Sequence, residues 1–478
     1  MTQDHQITTA FRREFANWGV WWSRAVVFAM AAAAGLTVVL FTRLTEWTMD
    51  AFDDLSAAWW WSPLLWTPLC TVVVVWLTRR FAAGAAGSGI PQVIASLEPD
   101  VNPSNRGLFV SLKLSAAKFV LTALGLLGGL SLGREGPSVQ IAAGVMLAGR
   151  RLLPRRSTVS THGLLVTGGA AGIAAAFNTP LAGVMFAIEE LSRTPEQRSS
   201  GLLIAGIVLS GLIAVSFNGN ATYFGVIHVP AVTLSLLGPA LVVALACGVA
   251  GGLFARLLLR SLAGDGPDRL SRYRREHPVL FAGGCGLVVA VVGVVTGAAT
   301  FGSGYSHTRH MLEGTGIVSQ SYVFFKFIAT WVTAWSGVPA GIFAPSLSIG
   351  AALGNDIAQF MHYPDAPTLI ALGMVGFLAA VTQAPMTAFI IVMEMVDGHA
   401  LVLTLMACAL VSSAVSRTLS RPLYASLADM QLLRLAPESD IAQPLATEPP
   451  SEPTAQAPST DAASHTPPSS APTARGER

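Results

Sequence analysis

Gly133-Arg134-Glu135-Gly136-Pro137 places an arginine and a carboxylate inside apolar sequence that runs from about Ala116 to Leu147. A charge at that depth costs several kcal/mol unless it is paired, hydrated or used. The glycines on either side let the backbone leave helical geometry, and Pro137 suits the first residue of a new helix, where its missing N–H costs nothing. The stretch therefore reads as a broken helix that restarts in mid-membrane. The free N–H groups and positive dipole end of such a helix favour an anion, and Glu135 stands where that anion would sit.

The surrounding composition supports a membrane setting. Of 478 residues, 52% are hydrophobic and only 12% charged, about half the charged fraction usual in a soluble protein. Mean hydropathy is +0.56. Apolar runs recur near 25–41, 63–77, 114–130, 160–188, 201–216, 232–258, 279–299, 322–335, 347–360, 367–392 and 400–416. Several are too short to cross about 30 Å of hydrocarbon as straight helices, and many contain Gly or Pro, so half-helices and re-entrant segments are expected. Arg12 and Arg13 precede the first run, Arg79 and Arg80 follow the second, and Arg150, Arg151, Arg155 and Arg156 follow the restarted helix. By the positive-inside rule these ends are cytoplasmic. A multi-pass protein of the cell (inner) membrane is the expectation. Residues 1–23, with Trp18, Trp21 and Trp22, read as an interfacial helix ahead of a retained span rather than a cleaved signal.

The second half of the chain echoes the first. Gly133-x-x-x-Pro137-Ser138 returns as Gly341-x-x-x-Pro345-Ser346, Gly87-Ser88-Gly89 as Gly302-Ser303-Gly304, and Pro180 with Glu189 as Pro385 with Glu394, at separations of 208, 215 and 205 residues. Three landmarks in one order at nearly one spacing indicate a duplication. Duplicated membrane halves with matching broken helices mark transport folds whose site lies between the repeats near the midplane. The expected fold is an all-α polytopic membrane protein of two repeats, inverted so that both sets of helix tips converge on one anion pathway. The repeats span 24–217 and 232–430, joined by a linker at 218–231. Beyond about Pro437 the chain turns to Pro, Ser, Thr and Ala, and 437–478 reads as a disordered tail.

Other chemistries find little support. The only lysines, Lys113, Lys118 and Lys326, never follow glycine, and no H-E-x-x-H occurs, which disfavours ATP-driven transport and an intramembrane metalloenzyme. His307 and His310 lack the carboxylates or cysteines of a metal site. Cys70, Cys247, Cys285 and Cys408 lie singly in apolar segments and read as buried thiols. No cofactor and no nucleic-acid partner is expected. Glu189 and Glu190 close a helical run, where the dipole disfavours acids. They read either as a solvated pair answered by Arg193 or Arg198, or as functional groups, and Lys118 either balances charge near Glu190 or is structural.

Four stretches together resemble the CLC family of chloride channels and chloride/proton antiporters: Gly87-Ser88-Gly89-Ile90-Pro91, Gly133-Arg134-Glu135-Gly136-Pro137, Gly341-Ile342-Phe343-Ala344-Pro345 and the tyrosine of Arg421-Pro422-Leu423-Tyr424. The resemblance covers roughly residues 24–430. It implies a chloride site built from Ser88, Gly89, the amides of Ile342, Phe343 and Ala344, and Tyr424. It assigns Glu135 as the external gate and proton carrier, and Glu190 as the internal proton-transfer residue. Backbone N–H groups and hydroxyls suit a dehydrated halide that must also leave, because a full positive charge would hold it too tightly. Pairing of Glu135 with Arg134 is weakened as an alternative, since consecutive helix residues do not face each other. Within the family, serine at position 88 fits chloride preference, and two glutamates fit chloride/proton exchange, with a passive chloride channel as the alternative. The resemblance further implies a homodimer in the lipid bilayer.

Overall fold

The computed structural model describes residues 18–434 except 100, 103, 156, 193–199, 220–222, 225–233, 265, 267, 316–318 and 397. The expected tail, most of the 218–231 linker, Arg193, Arg198 and the first 17 residues lie outside the described residues. Helices succeed one another throughout, and no β-strand occurs among the described residues. Among the described residues, seven helices are long and apolar enough to cross a bilayer: Trp18–Ala58, Pro63–Phe81, Arg106–Leu127, Gly201–Asn218, Leu237–Ala263, Pro278–Val295 and Val402–Leu419. The first has 41 residues and rises about 60 Å, roughly twice the hydrocarbon thickness. Trp18, Trp21 and Trp22 belong to it, so the segment expected to end at residue 23 enters the first span unbroken. Nothing between Trp22 and Val26 stops a helix.

The expected short helices are present. Ile90–Leu97 has 8 residues, Pro180–Phe186 has 7 and Pro385–Met395 has 11, each too short to cross at 1.5 Å per residue. All three carry proline in the first turn, where the absent N–H breaks no ladder bond. The chain enters them after a left-handed residue: Gly89 at φ 108°, and Asn178 and Gln383 at φ 61°. Asn178 and Gln383 are repeat mates that end the preceding helices, Thr161–Phe177 and Ala366–Thr382. The restarted helices are Glu135–Ala148 and Phe343–Phe360. Pro137 and Pro345 are thus third rather than first in their helices, which the same first-turn tolerance allows. Each restarted helix lies against the helix that follows it, Thr161–Phe177 or Ala366–Thr382. Backbones meet there closely: a Cβ on Gly172 would stand 2.6 Å from the Ser138 carbonyl oxygen, and one on Gly350 would stand 2.3 Å from that of Gly373. Small residues are what permit such contacts between helices in lipid.

Three exchanges join the two halves. Gly133 N–H donates to the Gly341 carbonyl at 2.7 Å and Gly341 N–H returns to Gly133 at 3.1 Å, in antiparallel register. Reciprocal pairing of equivalent residues is what a two-fold relation between the repeats produces. The carboxylate of Glu189 accepts from Met386 N–H at 3.1 Å and Thr387 N–H at 2.6 Å. Its mate Glu394 accepts from Leu181 N–H at 3.3 Å and Ala182 N–H at 2.8 Å. Each repeat therefore caps the short helix of the other, and Glu189 is an interior cap instead of a solvated acid. Lys118 and Lys326 stand 208 residues apart, the separation of the broken-helix motifs. Lys118 Nζ donates to the carbonyls of Ala85 at 2.8 Å and Gly87 at 2.6 Å, and Lys326 Nζ donates to Thr300 at 3.0 Å and Gly302 at 2.7 Å. Both ammonium groups are fully buried and tie down the loop ahead of a Gly-Ser-Gly motif, so Lys118 is structural. The four cysteines are unbridged. The His307 ring stacks on Tyr322 with centroids 5.4 Å apart, and no metal-ligand cluster occurs among the described residues.

Candidate anion and proton site

Glu135 opens the helix Glu135–Ala148 and is completely buried. Its side chain folds back beneath Gly133, where an added Cβ would meet Oε2 at 2.3 Å. Oε2 accepts from the Ala344 N–H at 3.4 Å, across the repeat interface, and the backbone N–H groups of Arg134 and Glu135 itself also face the carboxylate. The N-terminal ends of two half-helices, one from each repeat, thus enclose one acidic group. The Gly133–Gly341 exchange brings them together, and glycine is required because a Cβ on Gly341 would lie 2.6 Å from the Gly133 carbonyl oxygen.

A second polar cluster lies next to this seat. Gly87 and Gly89, at φ 75° and 108°, bracket Ser88. The loop is held by Gly87 N–H donating to the Val338 carbonyl at 3.1 Å and by Ala340 N–H donating to Gly87, also at 3.1 Å. Gly89 lets the loop touch the second motif, since its Cβ would be 2.7 Å from the Gly136 carbonyl oxygen. The helix Leu423–Leu433 packs on Ile90–Leu97 and carries Tyr424 at its second position. The Tyr424 ring stacks on Phe343, with centroids 5.9 Å apart and planes 8° from parallel, and the Phe177 ring lies tilted against Phe343 at 6.2 Å. Ser88, Glu135 and Glu190 are the electrostatic neighbours of the Tyr424 hydroxyl. Ser88 Oγ and Tyr424 OH are buried and face each other, yet neither has a hydrogen-bond partner within 3.5 Å among the described residues. Two orphaned hydroxyls on one buried space cost about 1–3 kcal/mol each unless a ligand takes them. A small anion fits this donor set, which has hydroxyls and backbone amides but no full positive charge.

The structure thus gathers Ser88, Gly89, Glu135, Phe343, Ala344 and Tyr424. Ile342 caps the helix Phe343–Phe360 and is also buried. Glu190 is half-buried in a wide turn, Ala187–Leu191, at the end of Pro180–Phe186. The Glu189 carboxylate, accepting from Met386 N–H and Thr387 N–H, ties that turn to the opposite repeat.

Sequence reading missed the surroundings of Arg134. Its Nη1 donates to Glu46 Oε1 at 3.0 Å and its Nη2 donates to Tyr223 OH at 3.2 Å. Glu135 is therefore not its partner. Tyr305 OH donates to the Tyr223 carbonyl at 2.8 Å, which draws two linker residues, Tyr223 and Phe224, over this place. These groups border a cavity of about 400 Å³ on the Arg134 side of the gate. The signal for it was Glu46, Asp50 and Asp53, spaced along one helix face beside the motif's arginine.

A helical membrane protein of duplicated halves, with buried hydroxyls, helix N-termini and a carboxylate gathered between them, is the class these features define. The voltage gated chloride channel family matches residues 69–417, and the chain belongs to that family, the CLC family. It is 33% identical over 439 residues to the H(+)/Cl(-) exchange transporter ClcA of Klebsiella pneumoniae, covering 86% of this chain and 89% of that protein. It is 30% identical over 451 residues to ClcA of Salmonella typhimurium, covering 88% and 90%. Its fold is similar to that of a slow cyanobacterial Cl-/H+ antiporter, with TM-score 0.73, 24% identity and coverage of 86% and 98%. It is also similar in fold to a CLC-type fluoride/proton antiporter, with TM-score 0.70, 20% identity and coverage of 84% and 96%.

Proposed function

We propose that the protein exchanges chloride for protons across a cell membrane, acting as a transporter and not an enzyme, with Glu135 as both gate and proton carrier. The observation that carries this reading is the Glu135 carboxylate at the N-terminal end of the opposite repeat's helix, accepting from Ala344 N–H beside the orphaned hydroxyls of Ser88 and Tyr424. As an anion it occupies an anion's place and closes the path. Protonation removes its attraction to the amides, so it swings aside and a halide takes the seat. Chloride then bridges Ser88, Tyr424 and the amides of Ile342, Phe343 and Ala344, with Gly89 keeping the loop close. Glu190, an electrostatic neighbour of Tyr424, passes protons between the inner solution and the centre. In the second repeat its place is held by Met395, so the proton route belongs to one half only.

The arginines that end Pro63–Phe81 and follow Glu135–Ala148 face the cytoplasm of an inner membrane in this account, and the Arg134 cavity opens outward. The named activity of the ClcA relatives agrees with this reading, and a homodimer with one pathway per subunit is part of it. The test is chloride and proton flux in proteoliposomes. Glu135→Ala should conduct chloride without proton coupling, and Glu190→Gln should spare chloride flux while proton movement ends. Chloride flux with no proton movement in the unaltered protein would make it a passive channel, and intact coupling in either variant would remove that glutamate from the mechanism.

A further inference from the structure

An anion arriving in the 400 Å³ cavity meets a puzzling mouth. Arg134 is the only arginine or lysine among its described lining residues, whereas Glu46, Asp50 and Asp53 line the same space. The guanidinium is mostly buried, its side chain 13% exposed against 47% for Glu46. Nη1 donates to Glu46 Oε1 and, at 3.5 Å, to the Thr42 carbonyl, and Nη2 donates to Tyr223 OH, while the buried Nε has no partner among the described residues. Tyr223 also lies under the guanidinium, 5.8 Å from ring centroid to Cζ. Arg134 is the residue immediately before Glu135, and its charge acts on that carboxylate. One cation thus faces the entering anion and the gate together.

We propose that Glu46 is a positioning residue for transport: through its ion pair with Arg134 it sets how strongly the outer mouth draws chloride and how firmly the Glu135 carboxylate is held closed. The proposal rests on the gate reading above and adds a residue outside the family's signature motifs. Neutralising Glu46 leaves Arg134 uncompensated in a site partly shielded from solvent, where a charge at this range is felt strongly. The freed cation attracts chloride, and it stabilises ionised Glu135, so more acid is needed to open. The other ionisable groups around the pair are Asp50 and Asp53 on the same helix and Tyr223, Tyr305 and His307 across the cavity. Among the described residues the ion-pair partner of Glu46 is Arg134. Arg43, also on this helix, donates instead to the Phe217 carbonyl at 3.3 Å.

The experiment is flux in proteoliposomes against external chloride and external pH, with Glu46→Gln compared with Asp50→Asn. The Gln variant is isosteric at a half-exposed side chain, so the fold is kept. Glu46→Gln is expected to lower half-saturating external chloride roughly three- to tenfold and to move the external pH of half-maximal rate about half to one unit toward acid. Asp50→Asn should shift each by less than half as much. Unchanged chloride dependence in Glu46→Gln overturns the proposal, and so does an equal shift in Asp50→Asn, which would mean a diffuse surface field. Failure of the gate reading is distinguishable: Glu135→Ala would then keep its proton coupling, whereas the chloride shift of Glu46→Gln does not depend on Glu135.

Discussion

Gly133→Ala tests the gate without touching the glutamate. The added Cβ would stand 2.3 Å from Glu135 Oε2, 3.2 Å from Pro345 Cδ and 3.3 Å from Ala344 Cβ. The last two need shifts of a few tenths of an ångström, within the cost of about 1–3 kcal/mol typical of tight substitutions. The first contact is impossible, so the carboxylate leaves its seat. Gly133 is not among the residues with positive φ, so alanine suits its backbone. The seat is worth what hydrogen bonds from backbone amides to a charged group are worth, about 1.5–3 kcal/mol net, so its loss changes the closed-to-open ratio roughly ten- to hundredfold. Chloride flux in proteoliposomes should fall steeply as pH rises in the unaltered protein, where ionised Glu135 closes the path, and stay nearly flat in Gly133→Ala, with proton coupling reduced. A variant that keeps the ordinary pH dependence and full coupling would refute the reasoning. Gly341→Ala differs instructively: its Cβ meets the Gly133 carbonyl oxygen at 2.6 Å and Pro137 Cδ at 2.9 Å. That is a backbone clash, and the expected result is loss of folded protein.

Ser88→Ala and Tyr424→Phe each remove one hydroxyl from the proposed chloride, and titration calorimetry in detergent should find binding about tenfold weaker for each, the lower end expected for a donor to a charged group; unchanged affinity would take that hydroxyl out of the site. Glu189→Gln and Glu394→Gln each put an amide where a carboxylate caps two N–H groups, and each should cost about 1–3 kcal/mol of stability, read as a lower melting temperature in detergent. A variant of the pair that melts like the unaltered protein would argue against the reciprocal cap.

The duplication was legible because glycine, proline and charge inside apolar runs are rare enough that their spacing carries information. Lys118 and Lys326 share the motif separation of 208 residues, so the same comparison had the means to pair them. The cap role of Glu189 was not legible, because its partners are backbone N–H groups 197 and 198 residues away that no side chain announces. Pro137 was read as the first residue of its helix and is the third, since proline fits any position in the first turn. The Arg134–Glu46 pair was hidden for a different reason: the motif drew attention to Arg134 as neighbour of Glu135, while its true partner lies 88 residues earlier, on the face of a long helix.

In the proposed mechanism a halide and the Glu135 side chain take turns in a single seat between the repeats. Its most direct measurement is pH in the lumen of sealed proteoliposomes after a chloride gradient is imposed, with no proton gradient at the start. The account predicts protons driven uphill against their own gradient by the unaltered protein and no net proton movement, with chloride still flowing, in Glu135→Ala. Equal uphill proton pumping by both proteins would contradict it.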